Sequence, residues 1–141
     1  MMTLRTPVRN MDPKKVRSII EMTLRWCRRR FGDNRRKAYE LKWYIQRNPN
    51  PKECGEYVAD DNEIYVYWNN LENIEEILRT CIHEWTHYKQ PILTRYFKFK
   101  GPYSQNPFER QAFRAEQKYT PICWKDLKKK INKFVKCDEN A

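Results

Sequence analysis

Residues 74–89 read Ile-Glu-Glu-Ile-Leu-Arg-Thr-Cys-Ile-His-Glu-Trp-Thr-His-Tyr-Lys, and the spacing of their apolar members constrains everything around them. Ile74, Ile77, Leu78, Cys81, Ile82 and Trp85 recur at three- and four-residue intervals, which predicts a helix with one broad apolar face. Helix-start residues fill Asn69 to Asn73, Glu75 and Glu76 suit a first turn, and Pro91 ends the helix. Inside it, His83, Glu84 and His87 form the pattern HExxH. Positions i and i+4 share a helical face about one turn apart, so both imidazoles can reach one metal ion. Cys81 lies about 200° around the helix from His83 and is expected in the core.

Upstream, Glu56-Tyr57-Val58 and Ile64-Tyr65-Val66-Tyr67 flank Asp60-Asp61-Asn62, the pattern of a hairpin. Before that, Tyr39, Leu41, Trp43 and Ile45 alternate with polar or exposed positions as in a half-buried strand, stopped by Asn48-Pro49-Asn50-Pro51. Val16, Ile19, Ile20, Leu24 and Cys27 predict an amphipathic helix from Lys14 to Arg30, capped by Asp12 and broken at Gly32-Asp33-Asn34. Downstream, a basic, aromatic connection leads to Asn106-Pro107 and a helix burying Phe108, Ala112, Phe113 and Ala115. Pro121 is expected to interrupt it, and a last basic helix runs to about Cys137. The expected fold is α+β: a small antiparallel three-stranded sheet packed on the HExxH helix, with further helices. Residues 1–12 read as a flexible arm, 13–137 as one domain and 138–141 as a frayed tail.

At 141 residues the chain has room for one core, and with 40% hydrophobic residues it is neither disordered nor collagen-like. It has no apolar run of about 20 residues and no apolar signal-peptide region near Met1, so no membrane partner is expected. Cys27, Cys54, Cys81, Cys123 and Cys137 are odd in number and contain no CxxC pair, which points to a reduced, cytoplasmic or otherwise intracellular protein. Net charge is +11, unevenly spread: residues 53–84 hold nine acids and one base, or −8, leaving +19 for the rest. A basic periphery around an acidic centre is compatible with nucleic acid outside and cation chemistry inside. Arg28-Arg29-Arg30, Arg35-Arg36-Lys37 and Lys128-Lys129-Lys130 could touch phosphates, with Trp26 or Trp124 near for stacking, or could be solvated faces.

Neutral imidazole is a good Zn²⁺ ligand, and a catalytic zinc typically keeps three protein ligands and one position for water. Glu84 would accept that water's proton as general base. His83 and His87 are the only histidines, so a third ligand must be of another type. Downstream acids are Glu109, Glu116, Asp126, Asp138 and Glu139; Glu109 and Glu116, seven apart, share a helix face.

The run from Gly55-Glu56-Tyr57 through Ile64-Tyr65-Val66 to Ile82-His83-Glu84-Trp85-Thr86-His87-Tyr88 resembles minimal zincin metallopeptidases. It is similar to the small HExxH…Glu zincins (gluzincin-like) encoded by phages and viruses, and more distantly to ImmA/IrrE-type peptidases. In those, a helix opening on a pattern like NPxExxA gives its Glu to the metal. Asn106-Pro107-Phe108-Glu109-Arg110-Gln111-Ala112 matches that pattern, so the resemblance implies His83, His87 and Glu109 as ligands of Zn²⁺. Glu109 also falls at the third helical position, where a capping-box role would leave Glu116 to ligate. The resemblance further implies a zinc metallopeptidase with a protein or peptide substrate held as an added strand at Glu63 to Trp68. It implies an oxyanion stabiliser too, with Tyr96, Tyr103, Arg110, Arg114 and Tyr119 as candidates. The alternative is a basic nucleic-acid-associated protein with structural zinc or an inactive peptidase fold. A mixed form would act on DNA-bound proteins as SprT-like enzymes do, although a third histidine is missing.

Overall fold

The computed structural model describes residues 1–35, 39–91 and 106–139, with side-chain surroundings up to residue 136. Its elements are α1 (Pro13–Phe31), β1 (Lys42–Gln46), β2 (Gly55–Val58), β3 (Glu63–Tyr67), a short 3₁₀ turn (Trp68–Asn70), α2 (Ile74–Lys89) and α3 (Pro107–Glu139). Arg36, Lys37, Tyr96, Tyr103 and the tail residues Asp138 and Glu139 fall outside the described residues or side chains.

Local chemistry sets the helix ends. The Asp12 carboxylate accepts from the Lys14 N–H, and α1 stops at Gly32, whose φ of +77° belongs to the region that glycine enters without strain. The Asn73 side chain accepts from the Glu76 N–H to open α2. Two more of α2's first-turn donors are met from an unexpected source. The Ile74 and Glu75 N–H groups donate to the carbonyls of Thr6 (3.2 Å) and Leu4 (2.8 Å). Val8 is buried and its N–H donates to Glu72 O. The stretch read as an arm, residues 1–12, thus lays Leu4, Thr6 and Val8 against the start of α2.

The fold class is α+β, but the sheet is mixed. Strand order is β1-β3-β2; β2 runs antiparallel to β3 (Gly55↔Val66 to Val58↔Glu63), whereas β1 runs parallel to β3 (Lys42↔Glu63 to Gln46↔Tyr67). The fully antiparallel expectation is corrected here, because the link 47–54 does not make a hairpin. It crosses to the far edge and is held there by asparagines that follow β3. Asn69 Nδ2 donates to Asn48 O, and Asn70 Nδ2 donates to the carbonyls of Asn50 and Glu53, both at 2.7 Å. β3 thus occupies the centre, paired on both sides, and β2 is an edge strand.

α2 is the hub, packed against α1, α3 and the inner face of the sheet. Ile74, Ile77, Leu78, Cys81, Ile82 and Trp85 are all fully buried. Trp85 closes the far end of this core, with its ring against Trp43 and Tyr88 and its indole N–H donating to Gly32 O. The break expected at Pro121 does not occur: α3 is one helix of 33 residues. Pro121 points to solvent, while Ala112, Cys123, Leu127, Ile131 and Val135 continue one buried stripe on both sides of it. That continuous burial outweighs a missing backbone bond costing about 3 kcal/mol.

β2 approaches α2 closely at Gly55. A Cβ there would lie 2.7 Å from Thr80 Cγ2, 3.0 Å from the Tyr65 carbonyl oxygen and 3.3 Å from Glu84 Cγ. Gly55→Ala should therefore lower unfolding free energy by about 1–3 kcal/mol in a denaturant titration, as overpacking does. An unchanged midpoint would mean that strand and helix are not in contact at this point.

Candidate metal centre

α2 turns His83 and His87 toward α3, and α3 returns Glu109 from its first turn. Ala112, fully buried one turn later, has no bulk to hold the helices apart. The His83 Nε2 lies 3.1 Å from Glu109 Oε2, the His87 Nε2 lies 2.8 Å from Glu109 Oε1, and the two Nε2 atoms are 3.2 Å apart. Four ligands around a zinc at about 2.05 Å would be separated by about 3.3 Å, close to these distances. His83, His87 and Glu109 could hold a metal ion, and they form the one such group among the described residues.

The other ring nitrogens are engaged from outside. His83 Nδ1 lies 3.0 Å from Glu116 Oε2, and His87 Nδ1 lies 2.8 Å from Gln90 Oε1. The Gln90 amide donates to Phe108 O and Gln111 Oε1, so its oxygen is the atom left to accept from His87. Both rings are thereby oriented with Nδ1 held from outside and Nε2 turned inward, the arrangement that orients metal-binding histidines. Each Nε2 donates to Glu109 when protonated and would offer its lone pair to a metal once deprotonated. The two glutamates, left as alternatives by the sequence, take different positions around the rings. Glu109 meets both Nε2 atoms, while Glu116, two turns further on, grips the back of His83. Asn106 caps α3 by accepting from the Phe108 N–H.

Burial alone would disfavour charge on the His83 ring, but the hydrogen bonds that the ring donates to the Glu109 and Glu116 carboxylates outweigh it and raise its pKa to about 10. His87 shifts up in the same balance, with burial opposed by Glu109 and Glu84. Without a metal, protons on the imidazoles neutralise the carboxylates. Glu84 is 8% exposed, and burial lifts its pKa to about 7 against the pull of the two histidines. It is therefore able to take and return a proton near neutrality.

A cleft runs across these groups. One half is lined by Gly55 to Asp60, Gln90, Pro91 and Phe108; the other by Lys52 to Gly55, Thr80, Phe113 and Glu116; His83 and Glu84 belong to both. The strand bordering it is β2. The expectation that Glu63 to Trp68 offers a free edge is corrected, since β3 is paired on both sides. Of the oxyanion candidates within the described residues, Arg110, Arg114 and Tyr119 line neither half; Tyr119 packs edge-on against Phe31. Cys81 is in the core as expected. Gln90 escaped sequence reading, although its position three residues after His87 places it on the same helix side.

No protein-family model matches the chain, and no curated protein or solved structure matches it either.

Titration with Zn²⁺ against a chromophoric chelator should give one site per chain. Glu116→Ala should weaken affinity about 10–100-fold through the lost orientation of His83, whereas Glu109→Ala should weaken it further. The reverse order would exchange the roles of the two glutamates.

Proposed function

We propose that the protein is a zinc-dependent metallopeptidase of the HExxH…Glu type. The observation that carries this reading is the convergence of two inward-facing imidazole nitrogens and the Glu109 carboxylate beside a buried Glu84, in a cleft bordered by a sheet edge. The resemblance of the motifs to small gluzincin-like peptidases supports it. His83, His87 and Glu109 would hold the ion.

A zinc ion in this set supplies Lewis acidity and lowers the pKa of a water from 15.7 toward ~7. Glu84 accepts a proton from the attacking water and then gives it to the leaving amine. Glu116 and Gln90 keep the imidazoles from rotating during this exchange. β2, with no strand on its outer side among the described residues, pairs through its main chain with an extended stretch of substrate. Because main-chain pairing reads little of the sequence, specificity falls to the cleft side chains near Tyr57, Phe108 and Phe113.

Glu84→Gln should retain the metal and lose hydrolysis of an unfolded protein substrate by at least about 100-fold, the usual scale of general-base catalysis. Full activity in that variant would remove Glu84 from its role. Purified protein that takes up no stoichiometric zinc at neutral pH would overturn the proposal as a whole. Removing zinc from the loaded protein should also lower its melting temperature. A ligand at 100 times its Kd stabilises the folded state by about 2.7 kcal/mol, so apo and loaded samples should separate clearly in a thermal scan.

A further inference from the structure

We propose that the outer face of α3 is a docking surface for the phosphate backbone of a double-stranded nucleic acid, separate from the metal cleft. Residues 107–136 contain nine cations and three acids. Two of those acids, Glu109 and Glu116, point inward to the histidines, and the third, Asp126, accepts from the Trp26 indole N–H at 2.9 Å. The cations are not scattered. Arg110, Arg114, Lys118, Lys125, Lys129 and Lys133 follow one another at steps of four or seven residues and fall within an arc of about 140° around the helix. All six are exposed, and among the described residues none is paired with a carboxylate. The buried stripe of Ala112, Cys123, Leu127 and Ile131 lies on the opposite side of the helix. The acidic block of residues 53–84 belongs to β2, β3, their turns and α2 and leaves this face positive.

Shape and chemistry select the partner. From Arg110 to Lys133 the stripe is about 35 Å long, close to one helical turn of a B-form duplex. A duplex presents one phosphate charge per about 1.7 Å of axis. Single strands bind through exposed aromatic rings as well as charge. Little ring surface is offered on this face: Trp26 is 4% exposed and hydrogen-bonded to Asp126, Trp124 at its border is partly buried against the core, and Tyr119 is covered by Arg30 and Lys118 and packed against Phe31. Stable anchoring at an anionic membrane surface adds inserted apolar groups to the attraction of the cations, and α3 keeps its apolar stripe in the core. The stripe holds no arrangement for reading base edges, so binding is independent of sequence.

The test is fluorescence anisotropy of the full-length protein with a labelled 20-base-pair duplex of arbitrary sequence between 50 and 200 mM salt. The expected slope of log Kobs against log salt is about −5, a loss of roughly a thousand-fold over that range. Lys125→Gln/Lys129→Gln/Lys133→Gln should reduce the magnitude of the slope by about one per lysine removed, and Lys→Arg at the same three positions should restore it. An equal loss of charge elsewhere, Arg5→Gln/Lys14→Gln/Lys42→Gln, should leave most of the affinity. Glu84→Gln should bind the duplex as the wild type does, so failure of hydrolysis and failure of docking are read separately. Circular dichroism checks that each triple variant keeps its helical signal; if the glutamine triple unfolds, Lys129→Glu alone decides. Four results would overturn the proposal: no duplex binding at 50 mM salt, equal losses in the stripe and control variants, tighter binding of a single strand of equal charge, or equal lysine-dependent binding to phosphatidylserine vesicles.

Discussion

The Glu109 carboxylate is 2% exposed and faces two imidazoles across about 3 Å, and a charge in that position is stable only with positive charge held against it. Protons on His83 and His87 can supply that charge, and so can a metal ion. Either way α2 and α3 are tied at a fixed height and rotation. Asn106 starts α3 one turn before Glu109, Ala112 lets the helices close, and Gln90 joins the end of α2 to the beginning of α3 through Phe108 and Gln111. Substituting any one of them disturbs the seating of the others, because the groups share hydrogen-bond partners and do not act additively.

The same burial separates the positions of the three carboxyl groups around the two imidazoles. Glu109 and Glu116 sit on one face of α3, yet the first meets Nε2 atoms from both rings and the second meets a single Nδ1. Glu84 leans away from α3 toward β2, where Gly55 leaves just enough room for its methylene. Its raised pKa follows from lying in a wall where water is scarce, beside groups whose charges partly cancel. A glutamate on an exposed helix with the same sequence neighbours would have no reason to titrate near neutrality.

What could be read from residues alone was whatever local spacing determines. The apolar period of residues 74–85, the HExxH pair, the Asp12 and Asn106 caps and the β2–β3 hairpin are all set within a few residues of chain. The parallel pairing of β1 was hidden because it depends on Asn69 and Asn70 holding a loop some 20 residues earlier. Pro121 misled for a related reason: its local penalty is real, but a buried stripe extending on both sides of it carries more free energy. The division of labour between Glu109 and Glu116 could not be decided from a spacing of seven, since both face the same way and only the height of α2 alongside distinguishes them.

The position of the positive charge on α3 is itself costly to the fold. Arg110/Arg114, Arg114/Lys118, Lys125/Lys129 and Lys129/Lys133 are like-charged neighbours at i and i+4, and each such pair destabilises a helix by about 0.2–0.5 kcal/mol, or about 1–2 kcal/mol together. Solubility would be served as well by the same cations alternating with acids along the helix. The acids are present in this chain, but they are concentrated between residues 53 and 84 instead. A helix that keeps repulsive neighbours along one side and a proline in its middle stands because its other side is buried without interruption. That surplus of burial is what offsets the like-charge repulsion along the outer face of α3.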